Sequence, residues 1–135
     1  MPILTVKISA PATPQLTQAI AEMLLAHSER ILYKARQVTA IVIEYLPPEQ
    51  WFIGGQSLAT QGLNSFYCDI RITDETNSKQ EKAQFIAETY AGFAALLGPV
   101  HEESYIHVHD VRATAYGYGG KTQEYRYHHP ASDAQ

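Results

Sequence analysis

The sequence predicts an α/β fold: a duplicated βαβ unit forming a four-stranded mixed sheet with two helices on one face. Three observations predict it. Strand-like and helix-like runs follow one another in the same order twice along the chain. Each helical run is long enough to cross over between parallel strands. The 135 residues suit one domain. We read a first repeat over about 2–55, a second over about 64–120 and a C-terminal tail over 121–135.

The elements follow in order. Residues 3–9 alternate, with Leu4, Val6 and Ile8 on one face and Thr5 and Lys7 on the other, the period of a strand. Two prolines, Pro11 and Pro14, break it. Thr13 suits an N-cap, because Pro14 at the first helical position lacks only an N–H that has no helical partner anyway. Leu16, Ile20, Met23, Leu24, His27 and Ile31 then recur at helical spacing for about five turns. Residues 38–46 are β-branched and almost continuously apolar, as in a strand buried on both faces, and Pro47 and Pro48 end them. Residues 66–73 alternate Phe66, Cys68, Ile70 and Ile72 against Tyr67, Asp69, Arg71 and Thr73. Asn77 or Ser78 caps a second helix with the stripe Phe85, Ile86, Thr89, Tyr90, Phe93, Leu96 and Leu97, stopped by Gly98 and Pro99. Residues 105–111 form the last strand. Residues 74–82 read as a solvated loop and first helical turn.

Composition narrows the function classes. With 45% hydrophobic residues the chain can bury a core without staples, and its one cysteine, Cys68, cannot form an intramolecular disulfide. A formal charge of −4, with ten basic residues spread along the chain, argues against nucleic acid as a partner. No apolar run reaches membrane-spanning length, and the start lacks the cationic and apolar blocks of a secretory signal. A cytoplasmic protein is expected. Two helices cover only one face of a four-stranded sheet. Because 38–46 has no polar side, the other face is expected to be apolar or functional and to bury itself against further copies of the chain. Tyr125, Arg126 and Tyr127 are candidates for that contact, and residues after 129 are expected to fray.

Two signals carry chemistry. Proline at position 2 favours removal of Met1, which leaves a secondary amine at the terminus. An ordinary terminal amine titrates near 7.7–8.0, and a prolyl nitrogen is more basic. Burial or a nearby cation lowers it, and a two-unit drop needs roughly 2.7 kcal/mol. Such an amine is a general base near neutral pH. The second signal is Trp51-Phe52-Ile53-Gly54-Gly55, an aromatic cluster leading into a tight turn, suited to wall a pocket.

Pro2 on a strand, the duplicated βαβ order and the segment 51–55 together resemble the tautomerase superfamily. That group contains 4-oxalocrotonate tautomerase (4-OT), 5-carboxymethyl-2-hydroxymuconate isomerase and macrophage migration inhibitory factor. Ile53-Gly54-Gly55 resembles the first; the length and the run Tyr105-Ile106-His107-Val108-His109-Asp110 look more like the third. The likeness covers about 2–120. It implies a homotrimer in which Pro2 moves a proton between carbon and oxygen of a small 2-keto or enol carboxylic acid, with no cofactor. It implies that Lys34 binds the carboxylate and that Ile72 lines the pocket. Tyr105 is implied as a pocket residue contributed across a subunit boundary. His107, in place of an asparagine, is implied as a hydrogen-bond donor. Trp51 stands where 4-OT has an active-site phenylalanine, and Tyr118 lies near a rim aromatic.

Departures from the family matter equally. Ala40 occupies the position of the 4-OT strand arginine, and Ile72 with Arg71 stands where dehalogenase relatives carry an arginine pair. Dicarboxylate specificity and dehalogenation are therefore disfavoured. The alternatives are a proline-dependent hydratase, dehalogenase or decarboxylase of the same superfamily, or a non-catalytic trimeric binding module. His27 fits either a pocket ligand or a buried core histidine. Tyr105, His107 and His109 share one strand face. A metal at His107 and His109 needs a further ligand that the sequence does not supply nearby, so no metal is expected. Gly117-Tyr118-Gly119-Gly120 leads into no obvious helix and reads as a turn or rim rather than a phosphate cradle.

Overall fold

Hydrophobic alternation and two capped amphipathic helices produce the four-strand, two-helix core in the computed structural model, which describes residues 1–130. Strand β1 is Ile3–Ile8, helix α1 is Pro14–Arg30 and strand β2 is Ala40–Tyr45. A short hairpin, β3 (Phe52–Ile53) and β4 (Gln56–Ser57), runs into a one-turn helix α2, Leu58–Gln61. The second βαβ unit is β5 (Phe66–Thr73), α3 (Lys79–Leu97) and β6 (Tyr105–Val111). A second hairpin, β7 (Gly117–Tyr118) and β8 (Lys121–Thr122), ends in α4, Gln123–His128. The sheet order is β2-β1-β5-β6. β1 and β2 are parallel, as are β5 and β6, while the two units meet along an antiparallel β1–β5 seam.

The helix ends obey local chemistry. The Thr13 hydroxyl accepts the Leu16 N–H at 3.0 Å, and Ser78 forms a full capping box with Glu81. Asn77 is therefore free for another task, donating to the Leu32 carbonyl. Gly54 and Gly55, at φ +65° and +83°, make the β3–β4 turn that side chains with a Cβ resist. Gly92 has a different reason: a Cβ there would sit 2.6 Å from Met23 Sδ, so glycine lets α3 approach α1 closely.

Both helices pack on the face carrying Leu4, Val6, Ile8, Phe66, Cys68, Ile70 and Ile72, which are fully buried. Phe66 and Phe93 stack at 4.1 Å between ring centroids. Burying each such side chain contributes about 1.5–3 kcal/mol. The α3 stripe is narrower than its apolar spacing predicts: Phe85, Thr89, Phe93 and Leu97 are buried, whereas Ile86 and Leu96 face outward.

Two expectations need correction and a third is refined. Residues 38–46 are not one doubly buried strand. Arg36–Val38 is a 3-10 turn, and β2, at the sheet edge, alternates half-buried Ile41, Ile43 and Tyr45 with exposed Ala40, Val42 and Glu44. Of the two characters expected for the uncovered face, apolar or functional, the apolar one does not hold. It presents Thr5, Lys7, Glu44, Tyr67, Asp69, Arg71, Thr73, Tyr105, His107 and His109, with Ile3, Ala40, Val42 and Val111 as apolar members. Finally, within the C-terminal tail, residues 121–128 hold β8 and α4, a refinement of that reading, while 131–135, within the stretch expected to fray, lie outside the described residues. Among the described residues no helix is long and apolar enough to cross a membrane.

Candidate active site

The site is organised around the chain's beginning. Pro2 is buried, and its carbonyl accepts the Ala40 N–H at 3.1 Å, extending the β1–β2 ladder by one rung. The amine of the full chain, on Met1, is lowered from 8.0 to about 6, first by burial and then by the charge of Lys34. Removing Met1 moves the amine one residue inward, onto the Pro2 ring.

Lys34 reaches this end from the loop after α1. Its N–H donates to the Ser28 carbonyl at 3.0 Å, and its Nζ donates to Thr76 Oγ1 at 2.9 Å. Burial lowers the Lys34 ammonium, while Glu81 and Asp110 act in the opposite sense. Tyr33, just before Lys34, and Glu75, just before Thr76, both hold positive φ, 59° and 63°. Non-glycine residues in that region cost roughly 1–3 kcal/mol each, so both loops are strained where they meet.

The remaining contacts close an arc around the terminus. The Thr76 hydroxyl donates to the Thr73 carbonyl at 2.6 Å. Thr73 Oγ1 and the Tyr116 hydroxyl are 2.7 Å apart, and that hydroxyl donates to the Met1 carbonyl at 3.2 Å. Hydrogen-bonded groups thus run from Lys34 through Thr76, Thr73 and Tyr116 to the amino terminus.

Sequence-predicted residues divide by location. Ile3 pairs with Arg71, which sets Pro2 beside Ile72. Ile72 is wholly buried, however, so it backs Pro2 from the core rather than presenting surface to a ligand. Tyr118 lies two residues past Tyr116, with the Arg126 guanidinium 3.9 Å from its ring centroid, on an exposed rim. Tyr105 pairs with Tyr67, which pairs with Lys7, so it lies roughly 17 Å from Pro2 along the strand direction. Trp51 follows the far end of β2 and anchors α2, its carbonyl accepting the Leu58 N–H. His107 pairs with Asp69 at mid-sheet. One protomer therefore gathers Pro2, Lys34 and Ile72 but leaves Trp51, Tyr105 and His107 distant.

His27 is resolved as a helix–helix contact. Its Nδ1 lies 3.0 Å from the hydroxyl of fully buried Thr89. Burial and then Arg30 lower its pKa, against Glu88. On the open face, His109 Nε2 lies 3.1 Å from Asp69 Oδ2, with Arg71 3.5 Å from Asp69 Oδ1. Sequence reasoning missed Thr73 and Tyr116. Thr73 ends an alternating strand and Tyr116 opens the same aromatic–glycine run as Tyr118, but neither pattern says that the two meet.

No family model matches the chain, and no curated protein matches it. Solved structures do. A fused 4-OT wild type symmetric trimer is 15% identical, covers 90% of this chain and 96% of its own, and superposes with a TM-score of 0.78. Pt0534 inactivated by 2-oxo-3-pentynoate is 12% identical, covers 91% and 98%, and gives 0.79. A macrophage migration inhibitory factor-like protein from Entamoeba histolytica is 16% identical, covers 90% and 97%, and gives 0.73. The chain has the fold of the tautomerase superfamily. The arrangement predicted from the sequence is thus shared with fused 4-OT and with this migration inhibitory factor-like protein.

Proposed function

We propose that this protein is a cofactor-independent tautomerase of the cytoplasm, working as a homotrimer on a small 2-keto or enol carboxylic acid. Pro2, freed of Met1, is the general base: it takes a proton beside a carbonyl or from an enol hydroxyl and returns it at the other atom. Lys34 binds the substrate carboxylate and keeps the amine uncharged. Ile72 backs the ring from below, and Tyr118 forms the rim. Tyr105, His107 and Trp51 serve the site of a neighbouring copy, where the two polar groups hold the developing oxyanion and Trp51 excludes water.

The observation that carries this reading is the buried amino terminus beside Lys34, its amine lowered to about 6. Burial and Lys34, which lower the Met1 amine, favour the uncharged form of the Pro2 nitrogen once Met1 is gone. Trimer formation is supported by the unpaired outer edges of β2 and β6, by exposed Val42 and Tyr105, and by the trimeric fused 4-OT of the same fold.

Phenylpyruvate enol–keto conversion, followed by ultraviolet absorbance, tests it. Pro2→Ala is expected to lose about 10²–10⁴-fold in kcat/KM with the trimer intact. A fully active Pro2→Ala variant, or turnover by protein whose intact mass retains Met1, contradicts it.

A further inference from the structure

Tyr116 belongs to the turn between β6 and β7, and the fold fixes it from three sides. Its carbonyl accepts the Gln123 N–H at 2.9 Å, while the Glu124 N–H bonds the Ala113 carbonyl at 3.0 Å. Both bonds come from the start of α4, so that short helix clamps the turn. The Asp74 N–H donates to the Val111 carbonyl at 2.8 Å, tying the ends of β5 and β6 together beneath it. The ring is half-buried, and its hydroxyl lies against Thr73 and Met1.

The proton assignment follows from the partners. A carbonyl oxygen only accepts, so the single Tyr116 proton points at the Met1 oxygen. Thr73 must then donate its own proton into the Tyr116 oxygen, across 2.7 Å. A phenol that receives one hydrogen bond is polarised toward giving another. The group it addresses is informative. The oxygen and nitrogen of one amide are about 2.2 Å apart, and the Met1 carbonyl is bonded directly to the Pro2 nitrogen. The tyrosine proton is therefore aimed at a carbonyl oxygen on the nitrogen side of Pro2.

We infer that Tyr116, polarised by Thr73, is a further hydrogen-bond donor of the active site, addressing the substrate's keto or enol oxygen beside the Pro2 nitrogen. The inference rests on the proposed tautomerase reading and deepens it. Loss of Met1 removes the carbonyl that the hydroxyl holds while Met1 is present and leaves the same donor facing whatever carbonyl approaches the base. As Pro2 withdraws the proton from carbon, the electron pair moves onto that oxygen, and the hydrogen bond from Tyr116 strengthens as charge develops. The proton returns from Pro2 to the alternative atom, so nothing is oxidised or reduced. Unlike Tyr105, this donor comes from the same chain as the base, so base and oxyanion donor keep one geometry whatever the neighbouring copy does.

Steady-state kinetics on phenylpyruvate with processed wild type, Tyr116→Phe and Thr73→Val tests this, with kcat, KM and the pH profile measured separately. Tyr116→Phe is expected to lower kcat about 100- to 1,000-fold, by analogy with removal of one oxyanion donor. KM should change less than about threefold, and the pH at which activity rises should stay in place, because Pro2 remains the base. Thr73→Val, which leaves the phenol present but unpolarised, should lose less, about three- to tenfold. Tyr116→Phe turning over at the wild-type rate overturns the inference and leaves the tautomerase reading standing. A wild-type enzyme with no turnover overturns both. If Tyr116→Phe melts early, Thr73→Val carries the test, and an unchanged kcat in that variant overturns the inference.

Discussion

The two ends of β1 contrast sharply. At Pro2, one chain assembles the buried amino terminus, a lysine from the α1–β2 loop, Thr73 at the end of β5, Thr76 from the β5–α3 connection and Tyr116 from the turn after β6. At Ile8, Trp51 and Tyr105 stand on separate elements with no shared partner, and Tyr105 is half exposed with its hydroxyl donating to Glu103 at 2.6 Å. One end gathers its hydrogen-bonded groups inside the protomer; the other holds aromatic groups on separate elements. Antiparallel pairing of the two βαβ units separates these groups within a chain, so only another copy can bring a far end to a Pro2 end.

The largest effect comes from splitting the ends between chains. Pro2→Ala and Tyr105→Phe are each expected to be impaired alone, the first by orders of magnitude. Unfolding and refolding an equal mixture should recover about a quarter of the wild-type activity, the fraction of sites that combine an intact base with an intact neighbouring tyrosine. Recovery no greater than the sum of the two variants shows that Tyr105 serves no neighbour.

Lys34→Ala sharpens the near end. Lys34 lowers the amine, so its removal raises the amine pKa and shifts the rising limb of kcat/KM to higher pH. KM for a carboxylate should also rise roughly tenfold, the cost of one charge-assisted contact. An unmoved pH profile excludes the lysine as the group that holds the amine down.

Much of this fold was legible in the sequence because period and caps spoke unambiguously. Leu4, Val6 and Ile8 alternate and lie buried, Thr13 and Ser78 cap, and Pro14 and Gly98 bound their helices. Of the two characters expected for the uncovered face, apolar or functional, the apolar one rested on one strand. The apolar run at 38–46 suggested two buried sides, but β2 is an edge strand, and the polar residues of β1, β5 and β6 set the character of that face. Pro2 was singled out by its place in the chain and Lys34 by the family resemblance. Tyr116 and Thr73 were not, because a turn some forty residues beyond β5 brings them together. Ile72 was placed beside Pro2, yet on its buried side, a distinction that one-dimensional alternation leaves open.

The smallest effect lies away from both ends. His27 has a folded-state pKa below its ordinary value, so the unfolded chain binds the proton more readily. Its contribution to stability is complete above about pH 6.5 and is lost as pH falls through the lowered folded value. His27→Gln, which keeps a hydrogen-bonding group toward Thr89, should flatten the acid side of the chemical-denaturation profile without moving the pH dependence of activity. An acid limb unchanged in this variant assigns the loss to other groups.

The most direct test of the account is titration of the processed amino terminus, read as the pH dependence of Pro2 alkylation by an electrophilic keto acid and located by peptide mass. The account predicts half-maximal reactivity below the 7.7–8.0 of an ordinary terminal amine, in the direction of the value near 6 at Met1. A terminus that still carries Met1, or a ring nitrogen that becomes reactive only above pH 8, contradicts it.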